Sequence, residues 1–296
     1  AQAHCNLGSI LSDLGKLKDA ELSTIKAIEL NPDFASAHYN LGNIFRDLGN
    51  LHKAAIYFQK AIQLKPNYAD AHNNLGIIFK DLGNLHDAEI SFQKAIQLKP
   101  DYADAYLNLS FKELLSGDYE SGLEHYEFRH KLKAVHASPK IDRVNDLKLE
   151  KREQILVVSE QGLGDTLQYM RYIPYLISQG FDISFCAQKK LHSLIKTSAI
   201  HTNPLNPEQA NSVSEGKWIP LLSLPRYLKV RPENPIISEP YIFSTNQLKK
   251  KWKNILSKEK RPIIGINWQG NPMMENTYQG RSIPLETFAT LAQHDE

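Results

Sequence analysis

Residues 35–68 and 69–102 are identical at 26 of 34 positions, and no other feature of this chain restricts its fold as tightly. The triplet Asn-Leu-Gly starts at Asn6, Asn40 and Asn74, always 34 residues apart, and Asn108 begins the variant Asn-Leu-Ser. Small and large positions are fixed within each unit. The second unit has Gly42, Ala54, Phe58, Ala61 and Pro66; the third has Gly76, Ala88, Phe92, Ala95 and Pro100. Apolar residues three and four apart predict two helices per unit. Gly8, Gly42 and Gly76 let those helices approach closely. Gly15, Gly49 and Gly83 end the first helix, where a left-handed residue is needed. Pro32, Pro66 and Pro100 stop the second.

This pattern resembles the tetratricopeptide repeat, a helix pair of this length, over roughly residues 1–130. Residues 103–133 read as a degenerate last unit: Tyr106, Leu109 and Tyr126 persist, while Ser110 and Gly122 replace Gly and Ala. Such arrays leave a groove lined by their first helices. An asparagine row (Asn6, Asn40, Asn74, Asn108) and an aspartate row (Asp13, Asp47, Asp81) run seven residues apart along that face. An amide both donates and accepts, so it can hold a peptide backbone whatever its side chains. The array resembles the superhelix of O-GlcNAc transferase, where an asparagine ladder grips substrate protein. The competing reading is that these amides only solvate a face or bond within the array. A protein or peptide partner is expected in either case.

Lys plus Arg (35) nearly balance Asp plus Glu (33), which gives no general reason to expect nucleic acid as partner. Apolar residues make up 42% of the chain, which suits a packed protein. The two cysteines, Cys5 and Cys186, fall in separate halves, so no disulfide framework is expected and a reducing cytoplasm fits. No apolar run has the length of a membrane span. The sequence opens without Met in mid-pattern and is expected to be part of a longer protein.

After 134–153, read as a charged linker, the period changes. QILVVS (154–159), DISFCA (182–187), KWIPLL (217–222) and PIIGINW (262–268) read as buried strands, with helical patterns between them. Strand–helix–strand order predicts a parallel sheet with helices on its faces. The predicted fold is thus an α solenoid (1–133) followed by an α/β Rossmann-like domain (154–245). A connecting helix (246–260) and the start of a second such domain (261–296) complete the division.

In sheets of this kind ligands lie beyond the carboxyl ends of the strands. Gly162 and Gly164 follow the first strand, and Asp165 opens the next helix. There it serves either as a general base or as a helix cap. Glu160 and Gln161 are further polar groups of that turn, suited to a sugar hydroxyl. ILVVSEQGLGDTLQYMRYIPYL resembles the start of the heptosyltransferase family, whose Gly-Asp carboxylate is thought to be the base; the resemblance implies that role for Asp165. IGINWQGNPMMENTYQGRSIPLETFATLA resembles that family's second-domain motif and implies donor contacts from Gly270, Asn271 and Arg281, although Ile283 stands where the family has Trp. The combination with repeats is similar to bacterial repeat-containing glycosyltransferase-like proteins.

The resemblance implies a glycosyltransferase of the GT-B kind, with a nucleotide sugar as co-substrate. Without an Asp-x-Asp motif, no metal and no cofactor are expected. The stretch in hand, ending early in its second domain, is expected to be inactive by itself. The alternative is a non-catalytic repeat scaffold that binds peptide and carries a degenerate transferase fold.

Overall fold

The computed structural model describes residues 1–132, 137–144, 153–160, 162–236 and 239–257. The chain divides into two compact units, Ala1–Phe243 and Ser244–Glu296.

The first unit opens with four helix pairs: α1 (Gln2–Asp13) with α2 (Leu17–Leu30), α3 (Ala35–Asp47) with α4 (Leu51–Leu64), α5 (Ala69–Asp81) with α6 (Leu85–Leu98), and α7 (Ala103–Leu115) with α8 (Tyr119–Tyr126). They form an α solenoid. Gly15, Gly49, Gly83 and Gly117 follow the first helices with φ between +72° and +86°, the left-handed region in which other residues are strained. Asn50, Asn84 and Asp118 then cap the second helices by accepting from Lys53, Asp87 and Ser121 backbone N–H groups. Asn31, Lys65 and Lys99 turn extended just before Pro32, Pro66 and Pro100.

Packing follows the repeat. Phe58 and Phe92 are fully buried, each against the glycine of its own unit's first helix, and Thr24 takes that place in the first unit. Leu41, Ile44, Leu75 and Ile78 are also buried, whereas the equivalent Leu7 and Ile10 of α1 are 45% and 56% exposed. The buried set joins neighbouring units: Ala20 of α2 lies in one cluster with Leu41 and Ile44 of α3, and Phe58 of α4 with Leu75 and Ile78 of α5.

A short 3-10 segment, Glu127–Lys131, closes the last helix pair. Then come β1 (Gln154–Val158), α9 (Leu163–Tyr169), α10 (Tyr172–Ser178), β2 (Asp182–Cys186), α11 (His192–Thr197), α12 (Pro207–Asn211), β3 (Lys217–Pro220) and α13 (Leu224–Tyr227). The sheet is parallel in the order β2-β1-β3, with Ile155 opposite Ile183 on one side and Lys217 on the other. Val157, Phe185 and Ile219 point into a core with Ile173 and Leu176 of α10. The helical stretch between the first two strands breaks at Met170–Arg171. Pro174 supplies no N–H to continue the ladder, and its ring excludes the carbonyl of Met170.

Part of the stretch read as linker is built into the sheet. Trp218 N–H donates to Asp142 O (2.9 Å) and Val144 N–H to Trp218 O (2.9 Å), so these residues flank β3. A lone parallel bridge has no periodicity to betray it, and charge dominates the surrounding residues. In the second unit, α14 (Asn246–Leu256) is capped by Thr245, whose side chain accepts from Leu248 N–H. The predicted strand 262–268 and the whole of 261–296 lie outside the described residues.

Candidate functional site: a polar groove on the repeat array

The first helices of the first three units enclose a hollow of about 260 Å³. Ser9, Ser12 and Asp13 of α1 line it, with Tyr39, Asn40, Asn43, Ile44, Arg46 and Asp47 of α3 and Asn74 of α5. Of the two predicted rows it thus gathers Asn40, Asn74, Asp13 and Asp47. Asn6 is exposed and takes Gln2 Nε2 on its own helix (2.8 Å). Asp81 pairs loosely with Lys80 (3.7 Å). Asn108 donates across units to Asn73 Oδ1 (3.1 Å).

The amides differ in how far they are committed. Asn74 is buried. Its Nδ2 donates both to Tyr39 Oη (3.1 Å) and to Asn43 Oδ1 (2.9 Å), and its Oδ1 accepts from Asn73 (3.3 Å). Its two donors are spent inside the array. Asn40 donates to Cys5 Sγ (3.3 Å), and its side-chain carbonyl has no partner among the described residues. Asn43 accepts from Asn74, and its own Nδ2 has no partner among the described residues. One turn of α3 therefore presents an amide acceptor, from Asn40, and an amide donor, from Asn43. Asp47 is forked by Arg46 (3.1 and 3.0 Å). Asp13 follows Ser12, where the second unit has Arg46 before Asp47. Asn43 escaped the sequence reading because it does not repeat: Ser9 and Ile77 hold the equivalent places. Its spacing of three from Asn40 was the available signal.

The turn after β1 holds the other predicted residues. Gly162, with φ +107°, is the N-cap of α9, so Asp165 is no cap: it stands in the first helical turn and is exposed. A Cβ on Gly162 would lie 2.5 Å from Asp165 Oδ2, so the carboxylate folds back over the glycine. Gly164 faces open space: a Cβ there would meet nothing within 4 Å among the described residues. Gln188, after β2, braces the turn by donating to Glu160 O (2.8 Å) and accepting from Thr166 Oγ1 (2.9 Å). Gln161, Gly270, Asn271 and Arg281 lie outside the described residues.

Glu160, read as a contact for a ligand hydroxyl, is instead buried and occupied. Its Oε1 accepts from Arg129 Nε (2.9 Å), and its Oε2 from Arg129 NH2 (3.1 Å) and Leu222 N–H (3.0 Å). Arg129 comes from the segment after α8. Glu127, which takes Arg129 NH1 (2.9 Å) and Arg143 NH2 (2.7 Å), completes the cluster. Glu127 is held below the usual carboxylate range: burial opposes ionisation, but Arg129 and Ser223 favour it more. His130 is pushed down to about 3 by burial and by Arg129 and Arg143.

Comparison with family models decides residues 1–102. Models described as tetratricopeptide repeat match residues 1–34, 25–55 and 69–102, and one described as TPR repeat matches 42–83. Residues 1–102 are tetratricopeptide repeats. Beyond residue 102 a further helix pair, α7 and α8, follows, with Gly122 packed on Leu114. Solved structures similar to the chain include "Crystal structure of MamA" (26% identity, TM-score 0.42, 44% of this chain and 76% of that one). Another is "MamA 41-end from Desulfovibrio magneticus RS-1" (22% identity, TM-score 0.41, 44% and 74%). At such TM-scores the likeness transfers neither fold nor partner. No curated protein matches the sequence. Among the described residues no helix is long and apolar enough to cross a membrane.

Proposed function

We propose that the tetratricopeptide array is a protein-interaction module whose groove holds an extended peptide segment. The observation that carries this reading is the pairing of Asn40 Oδ1 and Asn43 Nδ2 on one turn of α3, inside a polar hollow. A peptide unit offers one donor and one acceptor per residue, so these two amides match its backbone without reading its sequence. Asp13 and Asp47 add acceptors for further N–H groups or for a basic side chain. Asn74 and Tyr39 serve as the scaffold that fixes Asn43. In the test, peptides selected from a randomised library about 12 residues long are titrated against the wild type and Asn43→Ala. Loss of one satisfied amide pair weakens binding about tenfold; equal affinities would remove the groove from the account.

A second reading concerns the turn after β1. An exposed carboxylate, Asp165, stands at the carboxyl end of the central strand of a parallel sheet, where α/β proteins place ligands. That position suits a general base that takes a proton from an acceptor hydroxyl. Together with the heptosyltransferase resemblance it supports glycosyl transfer by a GT-B-like enzyme in the cytoplasm, with a nucleotide sugar as co-substrate and no metal. The donor contacts assigned to Gly270, Asn271 and Arg281 belong to this reading. Full-length protein assayed with UDP-, GDP- and ADP-sugars tests it. Transfer abolished by Asp165→Ala supports it; transfer that survives at the wild-type rate leaves Asp165 as a surface residue.

A further inference from the structure

Arg129 uses every N–H it has. Nε and NH2 fork onto Glu160; NH2 also reaches Ser223 Oγ (2.9 Å); NH1 donates to Glu127 Oε1 (2.9 Å) and Tyr126 O (3.0 Å). The side chain is almost wholly buried, with its guanidinium also 4.4 Å from the Tyr126 ring centroid. Its partners come from separate parts of the chain. Tyr126 and Glu127 end the repeat array. Glu160 follows β1, and Ser223, like the Leu222 that donates to Glu160, follows β3.

Those two strand ends flank the point at which the chain order of the sheet reverses. From β1 the chain goes out to β2 and then crosses back to β3 on the other side. Sheets of this kind leave a crevice there. In this protein Arg129, supplied by the array, bridges the residues that follow those two strand ends. Arg129 of the array pairs with Glu160 after β1, and Arg143 beside β3 pairs with Glu127 of the array, so two ion pairs cross between the array and the sheet.

We infer that the Arg129–Glu160 pair is a latch that makes the last helix pair of the array and the parallel sheet open as one cooperative body. Neither can separate without leaving a buried charge unpaired, which folded proteins tolerate poorly. The groove and the turn that bears Asp165 are then held at one fixed relation, whichever reading of function holds. The inference depends on neither.

Native-state hydrogen exchange on the full chain tests it. Amides of α8 and of β1 are followed through increasing urea in the wild type and in Arg129→Met/Glu160→Met. The double change removes both charges of the fork and leaves Arg143 on Glu127, so it avoids the folding failure that a single unpaired charge invites. In the wild type the protection of α8 and β1 merges to a common value; in the double variant they part by about tenfold or more. Protection that already differs by that factor throughout in the wild type would overturn the latch. So would protection that stays merged in the variant.

Discussion

A Cβ added to Gly42 would stand 2.7 Å from Cδ1 of Phe58, and one on Gly76 2.7 Å from Cδ1 of Phe92. The two helices of a unit meet at these glycines, and the fully buried rings fill the space a methyl group would need. Gly42→Ala or Gly76→Ala should therefore cost about 1–3 kcal/mol by overpacking. Gly49 differs: nothing lies within 4 Å of its Cβ position, and only its φ of +76° resists substitution. Gly49→Ala should cost about 1–2 kcal/mol, through backbone strain alone. Urea unfolding of the variants checks both. A Gly42→Ala protein as stable as the wild type would show that the helices are not in contact there.

Asn74 and Asn43 share one hydrogen bond yet are predicted to separate stability from binding. Asn74→Ala strands the Asn43 carbonyl and the Asn73 amide, so it should cost about 1–3 kcal/mol of folding stability. Asn43→Ala removes a half-buried side chain whose donors face the hollow, and should cost less than that while weakening peptide capture. Thermal unfolding beside peptide titration distinguishes the two; an unchanged melting temperature in Asn74→Ala would place its amide outside the scaffold.

How far this architecture could be read in advance depended on the distance over which each feature acts. Phe58 and Phe92 announce their burial by recurring every 34 residues, and Gly49 and Pro66 announce helix ends through their own backbone limits. β1, as five residues of mostly branched apolar side chains, is likewise local. Glu160 was misread because its meaning lies 31 residues upstream, at Arg129. Which of the two readings holds for Asn74 could not be decided in advance because its partners, Tyr39 and Asn43, belong to the preceding unit. Asp165 was legible as a helix-start carboxylate, but its position over Gly162 depends on a backbone angle that sequence does not express.

His130 gives a pH dependence of definite sign. It lies among Glu127, Glu160, Arg129, Arg143 and Ser223, and folding pushes its pKa from 6.5 to about 3. The unfolded chain therefore binds a proton that the folded chain refuses between those values. Stability is full above about pH 6.5 and falls as pH drops, by about 2 kcal/mol from this group at about pH 5. His125 acts the other way, since Glu113 raises its pKa and its contribution fades as pH rises. The difference between the wild type and His130→Gln isolates the first effect. The variant's urea midpoint should lose its slope between about pH 7 and pH 5 relative to the wild type; parallel slopes would mean that His130 is protonated in the folded state.

The central claim, that the array holds a peptide along the first helices, is tested most directly by site-specific photo-crosslinking. A benzophenone side chain is placed at Ser9, on the wall of the hollow, or at Ile56, which is 61% exposed on α4. Each protein is irradiated with a library-selected peptide, and adducts are mapped by mass spectrometry. The account predicts adducts from position 9 and none from position 56. Adducts from position 56 without any from position 9 would contradict it.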